Sequence, residues 1–455
     1  MTLEDAVIFI GSLFACAVAV AIFLRALLHG LPGNILTVPT MVFVWVYFVV
    51  VPAANVAFDT YVDERVFITE PVGALTLLNL VNAVLLAVAT LGVRIARARR
   101  ARPASDQAGP PPIGLMAALG ALVVVSVLYG FYTIYLSAAV LSTASGQLQF
   151  SGSLYQYVVI ESGPLAFCWL ATLYFVRQGR RPATFEAVLV GLVQLLLIML
   201  LSSSRGSRVA IISQMLICAQ IFSFCIYRFR ARHYIVGGVG LALFLQVYAY
   251  YKYGGIDALS DYVSGRSSSE TVERYNNPVT FLVGDIGRAD IQAPLISRYL
   301  EGTFTPNRIG ETYLSGASLL LPRQLRPASL RPKTQIGADA QLDRGAAAED
   351  YRGVVLDEGA FVSSRIYGLL GEALLNFGWL GPPLAFLLFG FLSRAALLRA
   401  VDFRDWRGLL TTPFFAAVPI YLLFYDFDNL IVQSVTVWAL PVAILVFFGR
   451  TARRT

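Results

Sequence analysis

The sequence predicts an all-α polytopic membrane protein of about eleven transmembrane helices, with one long polar segment between the eighth and the ninth. Three observations carry that expectation. Of 455 residues, 57% are hydrophobic and 14% charged, too apolar a balance for a water-soluble globule. About eleven runs approach or exceed the roughly 20 apolar residues that a helix needs to cross the hydrocarbon. Arginine clusters follow alternate runs, so they collect on one side.

The first runs cover 6–28, 36–58 and 73–95, the third closing in RIARARRAR ahead of an ASDQAGPPP linker. Arg94, Arg97, Arg99, Arg100 and Arg102 hold that side in the cytoplasm by the positive-inside rule. Runs 113–136 and 155–176 lead out and back to Arg177, Arg180 and Arg181; runs 187–201 and 209–227 do the same and end at Arg228, Arg230 and Arg232. The eighth run, 234–251, leads out to the long segment. A ninth, 366–392, returns to Arg394, Arg399, Arg404 and Arg407. The last two, 409–424 and 430–448, turn outside at YDFDN and leave Arg450, Arg453 and Arg454 inside. With Arg25, about nineteen of the 35 basic residues occupy inner loops and ends. The N-terminus is then outside and the C-terminus cytoplasmic. Three parts result: an N-terminal bundle over 1–252, an outer segment over 253–364, and C-terminal spans over 365–455.

Topology also accounts for the net charge of +7, which needs no nucleic acid to explain it. Cys16, Cys168, Cys218 and Cys225 all lie in apolar runs, a pattern of core packing rather than of disulfides or a metal site. The start, MTLEDAV, has acids where a signal peptide has basic residues, so the first run reads as a retained span. The outer segment alternates polar stretches with semi-apolar ones such as VTFLVGDIGRADIQAPLISRYL, a pattern of short helices lying on or dipping into the membrane surface.

Arginine on the outer side is what topology should have removed, and its presence there asks for a ligand or a partner. Arg205 and Arg208 lie in the turn SSSRGSR, whose glycine, hydroxyls and following helix start suit an anion. The stretch SGASLLLPRQLRPASLRPK, 315–333, crowds Arg323, Arg326, Arg331 and Lys333 behind an apolar run, and its three prolines impose an extended path. Guanidinium groups hold phosphate oxygens bidentately, and several together neutralise a diphosphate. The plainer reading is contact with lipid headgroups, nearest for Arg331 and Lys333. Glu372 and Asn376 lie one helical turn apart near the outer end of the ninth run. Glu372 is either a general base for a sugar hydroxyl or a structural ion-pair partner, and Asn376 either binds substrate or links helices. Both histidines, His29 and His233, map to the inner side and are excluded from chemistry outside. The chain has no nucleotide loop, no HExxH and no Cys or His cluster, so nucleotide sugars, ATP and zinc are not expected and no cofactor is assigned. A lipid-carried donor is expected instead.

Three windows together, GSR opening a mid-chain span, GETYLSGASLLLPRQLRP with its later Pro-Lys pair, and GEALLNFGWLG opening a late span, resemble the Wzy-type O-antigen and oligosaccharide repeat unit polymerases. The resemblance implies a bacterial inner-membrane glycosyltransferase of GT-C-like architecture. Its donor and acceptor would be undecaprenyl-diphosphate-linked oligosaccharides, joined at the periplasmic face by a metal-independent, inverting displacement. Other partners implied are membrane lipids and the chain-length regulator and flippase of the same pathway, with no nucleic acid. Matched by position, the pattern points to Arg205, Arg323 and Glu372 as catalytic and to Asn376, with Arg326 added, in substrate binding; Arg208 and Lys333 join the substrate-binding set from their place among the outer-face basic residues, not from the resemblance. Arg326 replaces the usual tryptophan of the LPR window, and the lysine of the closing pair lies further on, at Lys333. The lack of an outer-face histidine separates the chain from the related ligases. The rival readings are a lipid-linked oligosaccharide flippase or polysaccharide exporter, an O-antigen-ligase-like transferase, and a structural scaffold of an envelope complex.

Overall fold

In hydrocarbon, helices are favoured because each backbone amide and carbonyl finds its partner within the segment. The computed structural model describes residues 2–31, 37–58, 70–96, 110–133, 154–202, 208–227, 286–302, 309–327, 367–401 and 406–451, with a few short pieces between them. Among these, nine helices are long and apolar enough to cross a membrane, and the chain is a polytopic membrane protein. They match nine of the expected runs. The seventh run forms a helix, Arg208–Cys225, and the eighth lies largely outside the described residues. Two short antiparallel strand pairs, β1 (Val140–Ser142) with β2 (Leu148–Phe150) and β3 (Ala348–Glu349) with β4 (Val355–Leu356), complete the described elements.

The chain divides into two compact units. The first comprises Met1–Arg100, Asn277–Leu398 and Ala416–Ile431. In it α1 (Leu3–Leu28) packs along α3 (Pro71–Ile95), and α2 (Val38–Ala57) carries a π-helical turn at Val46–Val50. The Asn79 amide donates to the Ser12 hydroxyl at 3.2 Å, a polar link between α1 and α3. Phe23 stacks on Phe389 with centroids 5.6 Å apart. At Gly92 and Gly390 the α3 backbone meets the helix over Gly381–Val401 so closely that a Cβ on either would strike a carbonyl, of Leu387 or of Ala89. Arg394 donates to the carbonyls of Leu27 and His29 at 2.7 and 2.9 Å, so one arginine of the positive-inside set also closes the end of α1.

The second unit comprises Ala101–Asn276, Arg399–Phe415 and Val432–Thr455. Here α4 (Ile113–Phe131), α5 (Leu154–Gln178), α6 (Thr184–Ser202) and α7 (Arg208–Cys225) pack together. Pro164 interrupts the hydrogen bonding of α5, and side chains serve carbonyls around the break. Gln214 donates to Glu161 O at 2.8 Å, and Ser126 donates to Val159 O at 2.6 Å.

The expected ninth run is not one helix. It is α10 (Gly368–Phe377), a 3-10 turn at Gly378–Leu380, and α11 (Gly381–Val401). Gly378 has φ 56°, a left-handed conformation that ends α10, and Pro382 and Pro383 start α11 where missing amides cost nothing. The 21 residues of α11 span about 31 Å at 1.5 Å per residue, enough alone for the hydrocarbon. The crossing is therefore shifted toward the C-terminus of the expected run, and Glu372 belongs to the short helix that precedes it. From the outer segment come α8 (Ala289–Leu300) and α9 (Glu311–Ser318). The first eight residues of α8 are buried, so it lies within the unit rather than on its surface. The final helices are α12 (Trp406–Phe424) and α13 (Phe427–Thr451).

Candidate functional site

Three segments of the first unit meet around Glu372: α10, α9 and the corner between α12 and α13. Glu372 is 4% exposed, and both its oxygens accept hydrogen bonds. Oε1 takes the Thr312 hydroxyl at 2.7 Å and Oε2 takes the Phe427 amide at 2.7 Å. Asn376, one turn on, donates to Thr312 Oγ1 at 2.6 Å and to Glu372 O at 2.7 Å, while its Oδ1 accepts the Thr312 amide at 3.1 Å. The amide and hydroxyl of Thr312 are thereby both committed to one face of α10. Helical spacing of Glu372 and Asn376 makes this possible, because residues four apart stand one above the other.

Packing closes the junction. Tyr313 stacks on Phe377 at 5.9 Å and meets Phe427 edge-on at 5.5 Å. Burial, and then the neighbouring Glu372 and Asp426 carboxylates, push the Tyr313 phenol up from its ordinary range. A Cβ at Gly316 would come within 3.0–3.1 Å of the Asp428 backbone and the Phe427 ring, a tight approach that glycine eases. Gly310, with φ 73°, turns the chain into α9.

A second polar layer lies beneath. Asp426 is fully buried and accepts the amides of Tyr367 (2.9 Å) and Gly368 (2.7 Å), so a carboxylate holds the first turn of α10. Gln292 of α8 donates to the Tyr47 hydroxyl at 3.0 Å and to Tyr367 O at 2.8 Å. Arg288 is 4% exposed, donates to Gly287 O at 2.7 Å, and lies over the Phe424 ring at 4.1 Å.

Of the residues singled out in the sequence, Glu372 and Asn376 are together, bonded to each other and both to Thr312. Arg326 is half-buried, and its guanidinium donates to Leu321 O at 3.2 Å and Leu319 O at 3.3 Å, closing the turn that follows α9. Arg323 lies on the 3-10 turn Arg323–Leu325, and Arg208 opens α7; their backbones are described and their side chains are not. Arg205, Arg331 and Lys333 lie outside the described residues. Among the described residues, no group of three or more His, Cys, Asp or Glu is placed to hold a metal ion.

Comparison of the chain with protein-family models, curated proteins and solved structures found no match. The site stands on its own geometry.

Sequence reasoning missed Thr312, Gln292, Tyr47 and Arg288. Arg288 was within reach, since it is an arginine on the side where topology removes them, and it lies in the quoted run VGDIGRADIQAP. The pairing expected for Glu372 as a structural residue was with arginine; the groups that bind its carboxylate oxygens are instead a hydroxyl and a backbone amide.

Proposed function

We propose that the chain polymerises undecaprenyl-diphosphate-linked oligosaccharide repeat units into a surface polysaccharide at the periplasmic face of the bacterial inner membrane. One observation carries the reading beyond the motifs themselves. Two of the windows on which the resemblance rests, GETYLSG and GEALLNFG, are bound directly to each other through Thr312, Glu372 and Asn376 across 60 and 64 residues of sequence. Windows whose only tie was a shared basic or apolar composition would have no reason to meet in this way.

In this reading the acceptor hydroxyl oxygen attacks the anomeric carbon of the donor sugar and gives up its proton, to Glu372 or to the departing diphosphate, while the bond to the diphosphate oxygen breaks and its electron pair leaves with the lipid diphosphate. Arg323 and Arg205 neutralise the charge that builds on that leaving group, the strongest lever on such a reaction. Glu372 has both oxygens engaged, so it serves first as the post that seats α9 and the LPR turn. To act as base it would exchange the Thr312 hydrogen bond for one from the acceptor hydroxyl.

The test is polymerisation by the purified protein in detergent with lipid-linked units, where transport is meaningless because there is no sealed compartment. Arg323→Ala and Arg205→Ala are each expected to lower the rate about a hundred- to thousand-fold, as loss of an oxyanion donor does, while the protein stays folded. A normal chain-length distribution from both variants would overturn the assignment.

A further inference from the structure

A turn that enters hydrocarbon must satisfy its own backbone, whereas a turn in water need not. The segment after α9 follows the first rule. The amides of Leu319, Leu320 and Leu321 donate to Gly316, Ala317 and Ser318 carbonyls at 2.9 to 3.2 Å, and Leu325 donates to Pro322 O at 2.9 Å. Pro322 has no amide to satisfy. The Ser318 hydroxyl is turned inward onto Ser315 O at 2.6 Å. Two carbonyls at the end of the turn, Leu319 O and Leu321 O, take the Arg326 guanidinium.

Four leucine side chains around this closed backbone are exposed. While α9 buries Glu311, Thr312 and Gly316 against its own unit, Leu314, Leu320 and Leu325 on the other side are at least half exposed, and Leu321 is exposed beside them. The patch does not end at α9. Tyr313 stacks on Phe377, which is itself exposed, and Leu380 follows at 77% exposure where α11 begins. From there Leu384 and Leu388 continue the exposed apolar stripe down α11, a helix long enough to cross the membrane alone. Tyr299 and Trp379 meet edge-on at 5.6 Å beside this junction, the residue types that mark a membrane–water interface.

We infer that α9 and the LLLPRQL turn form a foot inserted into the phospholipid monolayer, with the leucines among the acyl chains and the arginine-bearing 3-10 turn at the level of the lipid phosphates. The occupant is lipid because the patch continues the lipid-facing stripe of α11, because its backbone is closed in the manner that hydrocarbon demands, and because basic residues follow the leucines at once. The foot fixes the depth of Arg323 in the bilayer. A diphosphate attached to a polyprenyl tail is confined to that same plane, so the foot brings the backbone of Arg323 and the phosphate to one depth before any contact is made. The insertion itself does not depend on the polymerase reading.

The experiment uses the full chain in nanodiscs of phosphatidylethanolamine and phosphatidylglycerol. Leu320→Cys and Leu384→Cys are labelled separately with an environment-sensitive fluorophore, the parent protein labelled alongside as the blank. Quenching is read from lipids spin-labelled high on the acyl chain and from aqueous iodide. Both sites are expected to lose fluorescence to the lipid quencher and to resist iodide. Quenching of the Leu320 site by iodide alone would overturn it and place the turn in water. Protection of that site from both quenchers would overturn it too, in favour of a protein partner. A Leu384 site untouched by lipid would remove the premise that the stripe faces the bilayer. None of these readings uses polymerisation, so a protein without that activity can still pass.

Discussion

Replacing Thr312 by valine keeps the shape of the side chain and removes the hydroxyl that joins α9 to α10. Glu372 Oε1 loses a donor at 2.7 Å in a site that water does not reach, and Asn376 loses one of its two acceptors. A hydrogen bond to a charged group contributes about 1.5–3 kcal/mol and a neutral one about 0.5–1.5, so the docking of α9 is expected to weaken by about 2–4.5 kcal/mol. The amide of Thr312 still reaches Asn376, which limits the loss to this range rather than to complete release. Hydrogen exchange is the direct assay, because local opening exposes the amides of α9 without unfolding the spans. At about 1.4 kcal/mol for each factor of ten, exchange over 311–325 should accelerate about 30- to 1,600-fold. Thr312→Ser retains the hydroxyl and should stay within a few-fold of the parent. Unchanged exchange in the valine variant, or equal acceleration in both variants, would refute the view that the hydroxyl holds the segment.

Two further perturbations probe the frame behind the site. Asp426→Ala removes the acceptor for the Tyr367 and Gly368 amides, and at about 1–3 kcal/mol for each buried group left without a partner it should destabilise the first turn of α10, read as faster exchange there and a lower unfolding midpoint; an unchanged midpoint would count against the cap. Gly390→Val drives a branched side chain into the Ala89 carbonyl across the α3–α11 crossing and should lower the yield of folded protein in membranes, whereas Leu384→Val on the exposed side of α11 should not; equal yields would refute the close crossing.

How much was legible beforehand differs between elements for a physical reason. Spans are encoded locally, since a run of apolar residues must be a helix in hydrocarbon whatever its neighbours do. Nine of the expected runs accordingly reappear as helices of sufficient length. The break inside the ninth was also local: Gly378 and the pair Pro382 and Pro383 are all on the page of the sequence, but the apolar count ran across them and hid the short α10. The burial of α8 was not local. Its mixed pattern of polar and apolar residues suits a membrane surface as well as a packed interior, and only its packing against α3 decides between them.

For the site, the sequence by itself determined the residue types and their helical spacing: Glu372 above Asn376, and arginines behind a leucine run closed by prolines. Those are short-range facts, set by the pitch of a helix and the fixed φ of proline. Only the tertiary structure decided what they touch. Thr312 lies 60 residues from Glu372, and no periodicity reaches that far. It made Glu372 an anchor for α9, gave Arg326 two carbonyls of its own turn to hold, and brought the corner at Phe427 onto the same carboxylate. Partner choice of this kind follows from which surfaces the spans present once packed, and packing is a property of the whole chain.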